Sequence, residues 1–454
     1  MSETRKATKD MTSGNPLQLI ASFALPLLLG NIFQQMYNLV DTIIVGKFLG
    51  LSALSSVGAT GSISFLIVGF CTGFTAGFAI PVAQSFGAKK YSEMRNFVIN
   101  AAYLSAGLAI FIAVTTSLLC RTILEAMGTP ADIIDGSFAY LVVIFIGIPF
   151  TVLYNYLSSM IRSLGDSKTP FVFLVISAGL NVVLDLVFII YVKMGVAGAA
   201  WATIISQAVS GVLCLIYMRS HYRILKFEDH EKAVDTNKMK KLLVMGLPMG
   251  LQFSITAIGT IMLQSAVNAL GTLYVATYTA AQKIKQFAMA PFDAFGNAVA
   301  TYCSQNLGAK KFDRISNGLK CGLLLGIIYA VVIGTVLFFF GGNLALIFVD
   351  ASETQVLELV SLNMKCVSYF YIALAALIIV RMTVQGLGYS GLAMLAGISE
   401  LFARGIMAVA VIPVFGYIAV CFTDQVAWVA GMIVVIVEFI YVMKKIRQQY
   451  GEEN

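Results

Sequence analysis

Apolar stretches long enough to cross a lipid bilayer follow one another along the whole chain, and this leaves it few ways to fold. About twelve are present, centred near residues 32, 66, 107, 146, 180, 206, 256, 290, 330, 372, 402 and 430. Within a bilayer the backbone must satisfy its own hydrogen bonds, so runs of this length are read as helices. Only 12% of the residues are charged and 59% are hydrophobic, outside the range of soluble domains. The expected class is an all-α polytopic membrane protein. The polar N-terminus is not followed by a short apolar core and a small-residue cleavage site, so no removable signal peptide is expected.

A repeat narrows the architecture further. AQSFGAKKYSEMRN at 83–96 returns as SQNLGAKKFDRISN at 304–317, with Gly308 standing 221 residues after Gly87. Leu25-Pro26 matches Leu247-Pro248 at a spacing of 222, and RSLGDS from Arg162 matches QGLGYS from Gln385 at 223. The chain therefore reads as a tail (1–15), a six-helix bundle (16–218), a hydrophilic linker (219–241), a second six-helix bundle (242–444) and a tail (445–454). An even number of spans per half gives both halves one orientation, related by an axis along the membrane normal. The expectation is twelve transmembrane helices in two pseudo-symmetric bundles around a central cavity that rocking opens to each side in turn.

Lys and Arg concentrate in alternate loops, and the other set of loops holds only Lys47, Arg121 and Lys193. This asymmetry predicts both termini in the cytoplasm of a plasma-membrane protein. It accounts for the net charge of +7 through topology and lipid headgroups, without nucleic acid. The seven cysteines lack C-x-x-C spacing and read as small buried hydrophobes. The two histidines, His221 and His230, lie in the linker, which excludes an intramembrane His relay or a His-ligated zinc. With no nucleophile-and-base context either, the chain is not read as an enzyme, and no cofactor is expected beyond a coupling ion.

Chemistry has to come from polar groups inside the spans. In the first span Asn31, Gln34, Asn38 and Asp41 fall within a stripe roughly 80° wide, too polar to face lipid. Pro26 in the same span removes a backbone hydrogen bond and is read as a kink, either a static one or a hinge. The fifth span carries Ser177, Asn181 and Asp185 on one face, the sixth Thr203 and Gln207, and the fourth Tyr140 and Asn155. The seventh span repeats the stripe in neutral form, with Gln252, Thr256, Thr260 and Gln264, and Leu263 stands where Asp41 stands in the first. Lys283, Lys285 and Asp293 in the eighth span are cavity candidates, as are Gln252 and Thr256. Glu400 and Arg404 read as a self-neutralising i, i+4 pair, and Glu438 as interfacial. Two carboxylates among amides and hydroxyls either hold a proton between them or bind a small hard cation such as Na⁺. Spacing leaves both open.

The ensemble of NPLQLIASFALPLLLGNIFQQMYNLVDTIIVGKFLG, AQSFGAKK, SQNLGAKK and RSLGDSKTP resembles the multidrug and toxic compound extrusion (MATE) family over essentially the whole chain. It looks closer to the DinF-like and archaeal type than to the NorM type. The resemblance implies export of bulky, often cationic organic compounds, driven by inward Na⁺ or H⁺. It carries a coupling site over to Asp41, Asn181, Asp185 and Thr203, which would also be the metal ligands if the ion is Na⁺, with Tyr140 and Asn155 close by, and it carries the kinking proline over to Pro26. The acidic ligands of the NorM branch fall at Thr256 and near Ala376, so coupling is expected in the first half. A cation-coupled antiporter, working as a monomer on small molecules, is the leading expectation. The alternative is a flippase for lipid-linked saccharides, which would line its cavity with cations such as Lys283 and Lys285.

Overall fold

The computed structural model describes residues 8–449, and among them there is helix and no strand. Fifteen α-helices follow in order: α1 (Pro16–Leu49), α2 (Leu51–Gly87), α3 (Tyr91–Ala126), α4 (Ile134–Ile146), α5 (Ile148–Ser163), α6 (Lys168–Leu186), α7 (Val196–His221), α8 (Thr236–Asn268), α9 (Thr272–Gly308), α10 (Phe312–Ala345), α11 (Thr354–Ser368), α12 (Tyr371–Gly386), α13 (Ser390–Ile406), α14 (Ile412–Phe415) and α15 (Tyr417–Gln449). Among the described residues, nine helical segments are long and apolar enough to span a membrane alone, and two bent pairs, α4–α5 at 46° and α11–α12 at 55°, each make one more. The twelfth is α9. It has 37 residues but carries Lys283, Lys285 and Asp293, which depress its hydropathy.

The sequence repeat is also a repeat of backbone singularities. Helix α6 runs into a π-helical turn at Val187–Tyr191, and α13 into another at Met407–Val411. Positive φ angles recur in register: 85° at Gly50 and 110° at Gly271, 58° at Lys89 and 57° at Lys310, 60° at Gly195 and 61° at Gly416. The GAKK motif thereby gains a structural reason. Its first lysine takes the left-handed conformation that ends the helix, Lys89 N donating to Phe86 O and Lys90 N to Ser85 O, and Lys310 and Lys311 do the same.

Packing divides the chain into two units, and the division runs through helices. One unit holds the segment up to Met11 together with Leu29–Ser254, and the other holds Thr12–Leu28 and Ile255–Asn454. Helices α1 and α8 each belong to both. Asn15 caps α1, its Oδ1 accepting from Leu17 N at 2.9 Å, with Pro16 in the first turn where a missing N–H costs nothing.

In the first unit, Phe74, Phe78, Val82, Phe97, Tyr156 and Met160 form a buried core. The N-terminal half of α8 lies against α2 there. A Cβ on Gly73 would stand 2.4 Å from Met249 O, and one on Gly77 2.6 Å from Gly246 Cα, so these glycines let two helix backbones touch. The inter-repeat linker is tied down in the same unit. Arg95 Nε and Nη2 each donate to the Glu231 carboxylate at 2.6 Å, Asn96 donates to Glu231 O at 2.9 Å, and Asp235 N donates to Asn100 Oδ1 at 2.9 Å. In the second unit a smaller core gathers Leu263, Val267, Tyr278, Ile412 and Tyr417.

Candidate coupling site in the first unit

The apolar frame of the site comes from α1, α4, α6 and α7. Ile44, Val45, Ile189 and Ala199 pack with Val40, Tyr140 and Val182, and Tyr140 also meets Val143, Ala200 and Ile204. Ser177 Oγ donates to Ser206 O at 2.8 Å, which locks α6 to α7 one turn below Asn181. Asn181 Nδ2 then donates to Thr203 Oγ1 at 3.4 Å, and Thr203 Oγ1 donates to Ala199 O at 3.1 Å.

Against this frame the carboxyl groups of Asp41 and Asp185 are neighbours. Asp185 has no solvent exposure and Asn181 only 2%. Five buried acceptor oxygens here have no donor among the described residues: Asp41 Oδ1, Asn181 Oδ1, both oxygens of Asp185, and Gln207 Oε1. Two carboxylates this close and this dry repel strongly unless positive charge sits between them. The arrangement is a cluster of oxygen acceptors without donors among the described residues. Among the described residues no three or more Asp, Glu, His and Cys group together as a metal site.

The remaining residues named from sequence are distributed as follows. Tyr140 lies near both carboxylates. Asn155 donates to Thr72 Oγ1 at 3.3 Å. Gln34 and Asn38 are exposed, and Gln34 lies beside the Tyr37 side chain. Tyr37, one turn before Asp41 and close to it, went unnoticed in the sequence although the i, i+4 spacing pointed to it. Pro26 is buried in α1, two residues before the boundary between units. Gln252 is buried and Thr256 half-buried on α8.

The second unit holds a different polar centre. Lys283 is exposed, whereas Lys285 is buried with Nζ 2.7 Å from Asp424 Oδ2. Asp424 also accepts from Arg404 Nε at 3.3 Å; Arg404 lies 3.7 Å from Glu400, and Glu400 takes its closest bond, 2.8 Å, from Arg381. The expected i, i+4 pair is thus one rung of a longer chain. Asp424 was overlooked in the sequence, although it is an acid within an apolar span. Glu438 is 6% exposed, packed against protein.

Comparison with known proteins supplies the context. A family model described as MatE matches residues 26–187 and again 248–410, the two halves of the repeat. The "Probable multidrug resistance protein YoeA" of Bacillus subtilis (strain 168) is 29% identical over 371 residues, 80% of each chain. Crystal structures of MATE in the bent and in the straight conformation both superpose with a TM-score of 0.88 at 20% identity, over 99% of this chain and 98% and 99% of theirs.

Proposed function

The chain belongs to the MatE family of multi-pass membrane transporters, and from that premise we propose that it is a cation-coupled antiporter exporting drugs and other toxic, often cationic, organic compounds by alternating access. The observation that carries this reading is the cluster of donor-less oxygens around Asp41 and Asp185. In one state the cluster is neutralised by Na⁺ or H⁺ drawn from outside, and in the other the ion leaves inward. Pro26, which leaves one carbonyl of α1 without its helical donor, lets the helix carrying Asp41 bend between the two. Both termini are assigned to the cytoplasm by the Lys and Arg distribution. Lys285, a group that a flippase for anionic lipid-linked saccharides would offer to its substrate, is held by Asp424, which favours the antiporter.

The test needs no known substrate. The melting temperature of detergent-purified protein is followed against Na⁺ at constant ionic strength, with K⁺ as control, for wild type and Asp41→Asn. An ion bound only by the folded state adds about 2.7 kcal/mol at a hundred times its Kd. A Na⁺-specific rise lost in the variant identifies sodium. A rise absent from both, with a pH dependence that Asp41→Asn removes, identifies the proton. Coupled export by Asp41→Asn at the wild-type rate in proteoliposomes would overturn the assignment.

A further inference from the structure

The ionic chain of the second unit does not balance. Three cations, Lys285, Arg381 and Arg404, meet Asp424 and Glu400 in direct pairs. Two more acids, Asp293 and Glu438, feel Arg381 as their neighbouring charge. That makes four acids for three cations, in a region where an excess charge is costly. Asp293 keeps partial exposure, but Glu438 is 6% exposed and neither of its carboxyl oxygens has a hydrogen-bond partner among the described residues.

We infer that Glu438 is a second proton-binding site, placed in the second unit and separate from the Asp41–Asp185 pair. Arg381 of α12 is its neighbouring charge and pairs with Glu400 of α13; on α9, Asp293 also has Arg381 as its neighbouring charge, and Lys285 stands at the far end of the chain on Asp424. On α10, Asp313 and Lys320 line a groove at the adjacent Phe439 together with Arg447 of α15. The charged residues of α11, Glu358 and Lys365, are exposed. With its proton, Glu438 is neutral and Arg381 stays with Glu400. When the proton leaves to water, the new carboxylate competes with Glu400 for Arg381, and the pairs beyond it, through Arg404 and Asp424 to Lys285, must share charge differently. Asp424 and Glu438 are fourteen residues apart on α15, about 21 Å at helical rise, so the chain links charges across most of a bilayer's apolar thickness.

Infrared pH titration of the purified protein reads the C=O stretch of a protonated carboxyl group directly. It is done in the Asp41→Asn/Asp185→Asn background, so that failure of the coupling-site reading and failure of this one are told apart. A buried carboxyl band should persist there and titrate, vanish on adding Glu438→Gln, move in frequency with Glu438→Asp, and survive Asp293→Asn. A band unaffected by both Glu438 variants, or one lost with Asp293→Asn instead, overturns the inference. So does a Glu438→Gln protein that fails to fold while Glu438→Asp folds, since glutamine is the neutral isostere of the protonated acid.

Discussion

Asp185 and Asp424 are both buried acids on spanning helices, and their surroundings give them opposite duties. Asp185 has a second acid beside it and, among the described residues, no hydrogen-bond donor, so no side chain there compensates its charge. Asp424 sits between Lys285 and Arg404 and has its charge compensated permanently. Removing one member of a compensated buried set leaves a charge stranded, at about 3–5 kcal/mol. Asp424→Leu, which strands Lys285 and leaves Arg404 only its longer pair with Glu400, should therefore lower the melting temperature more than Lys285→Met, which leaves Asp424 with Arg404. The double variant should be no worse than Asp424→Leu alone, as thermal unfolding in detergent will show. The sequence displayed Asp41 and Asp185 because amides and hydroxyls at helical spacing surround them. It did not display the Asp424 pairing, since Lys285 and Asp424 lie 139 residues apart and no local pattern joins them.

At the scale of elements, close helix contact and a tied-down linker hold the first unit. Gly73→Ala or Gly77→Ala forces α2 away from α8 and should cost about 1–3 kcal/mol, whereas Gly107→Ala in α3, where a Cβ meets nothing within 4 Å, should be neutral or slightly stabilising. The linker adds a pH dependence. Its Glu231 is held at about 2 by the hydrogen bonds from Arg95, below the ordinary glutamate value of about 4.5. A depressed acid stabilises the folded form above its unfolded value and ceases to do so as pH falls through the folded one. Linker docking should therefore loosen between about pH 4.5 and about pH 2, read as faster proteolysis within 223–235. Glu231→Gln should show that faster cleavage already at neutral pH. The Gly-Ala-Lys-Lys repeats and the proline pairs were legible as motifs, and the structure gives the first a helix-ending role that spacing could not reveal.

At the scale of the whole molecule, the packing units and the sequence halves are not the same partition. The first half of the chain sends Pro16–Leu28 into the second unit, and the second half sends Thr236–Ser254 into the first. Expressed alone, residues 1–225 and 226–454 should each accumulate poorly, because each lacks helix that its unit needs. Co-expressed, they should copurify and restore the wild-type level, a result that antibody detection of each fragment checks. The sequence by itself determined the helical class, the number of spans, the repeat and the acids on α1 and α6, because hydropathy, periodicity and self-similarity are properties of neighbouring residues and fixed spacings. Only the tertiary structure decided that Glu438 is buried without a hydrogen-bond partner among the described residues, that Lys285 is paired with Asp424, and that α1 and α8 are each shared between units. Those outcomes depend on which distant helices pack together, and the backbone's local preferences carry no record of that choice.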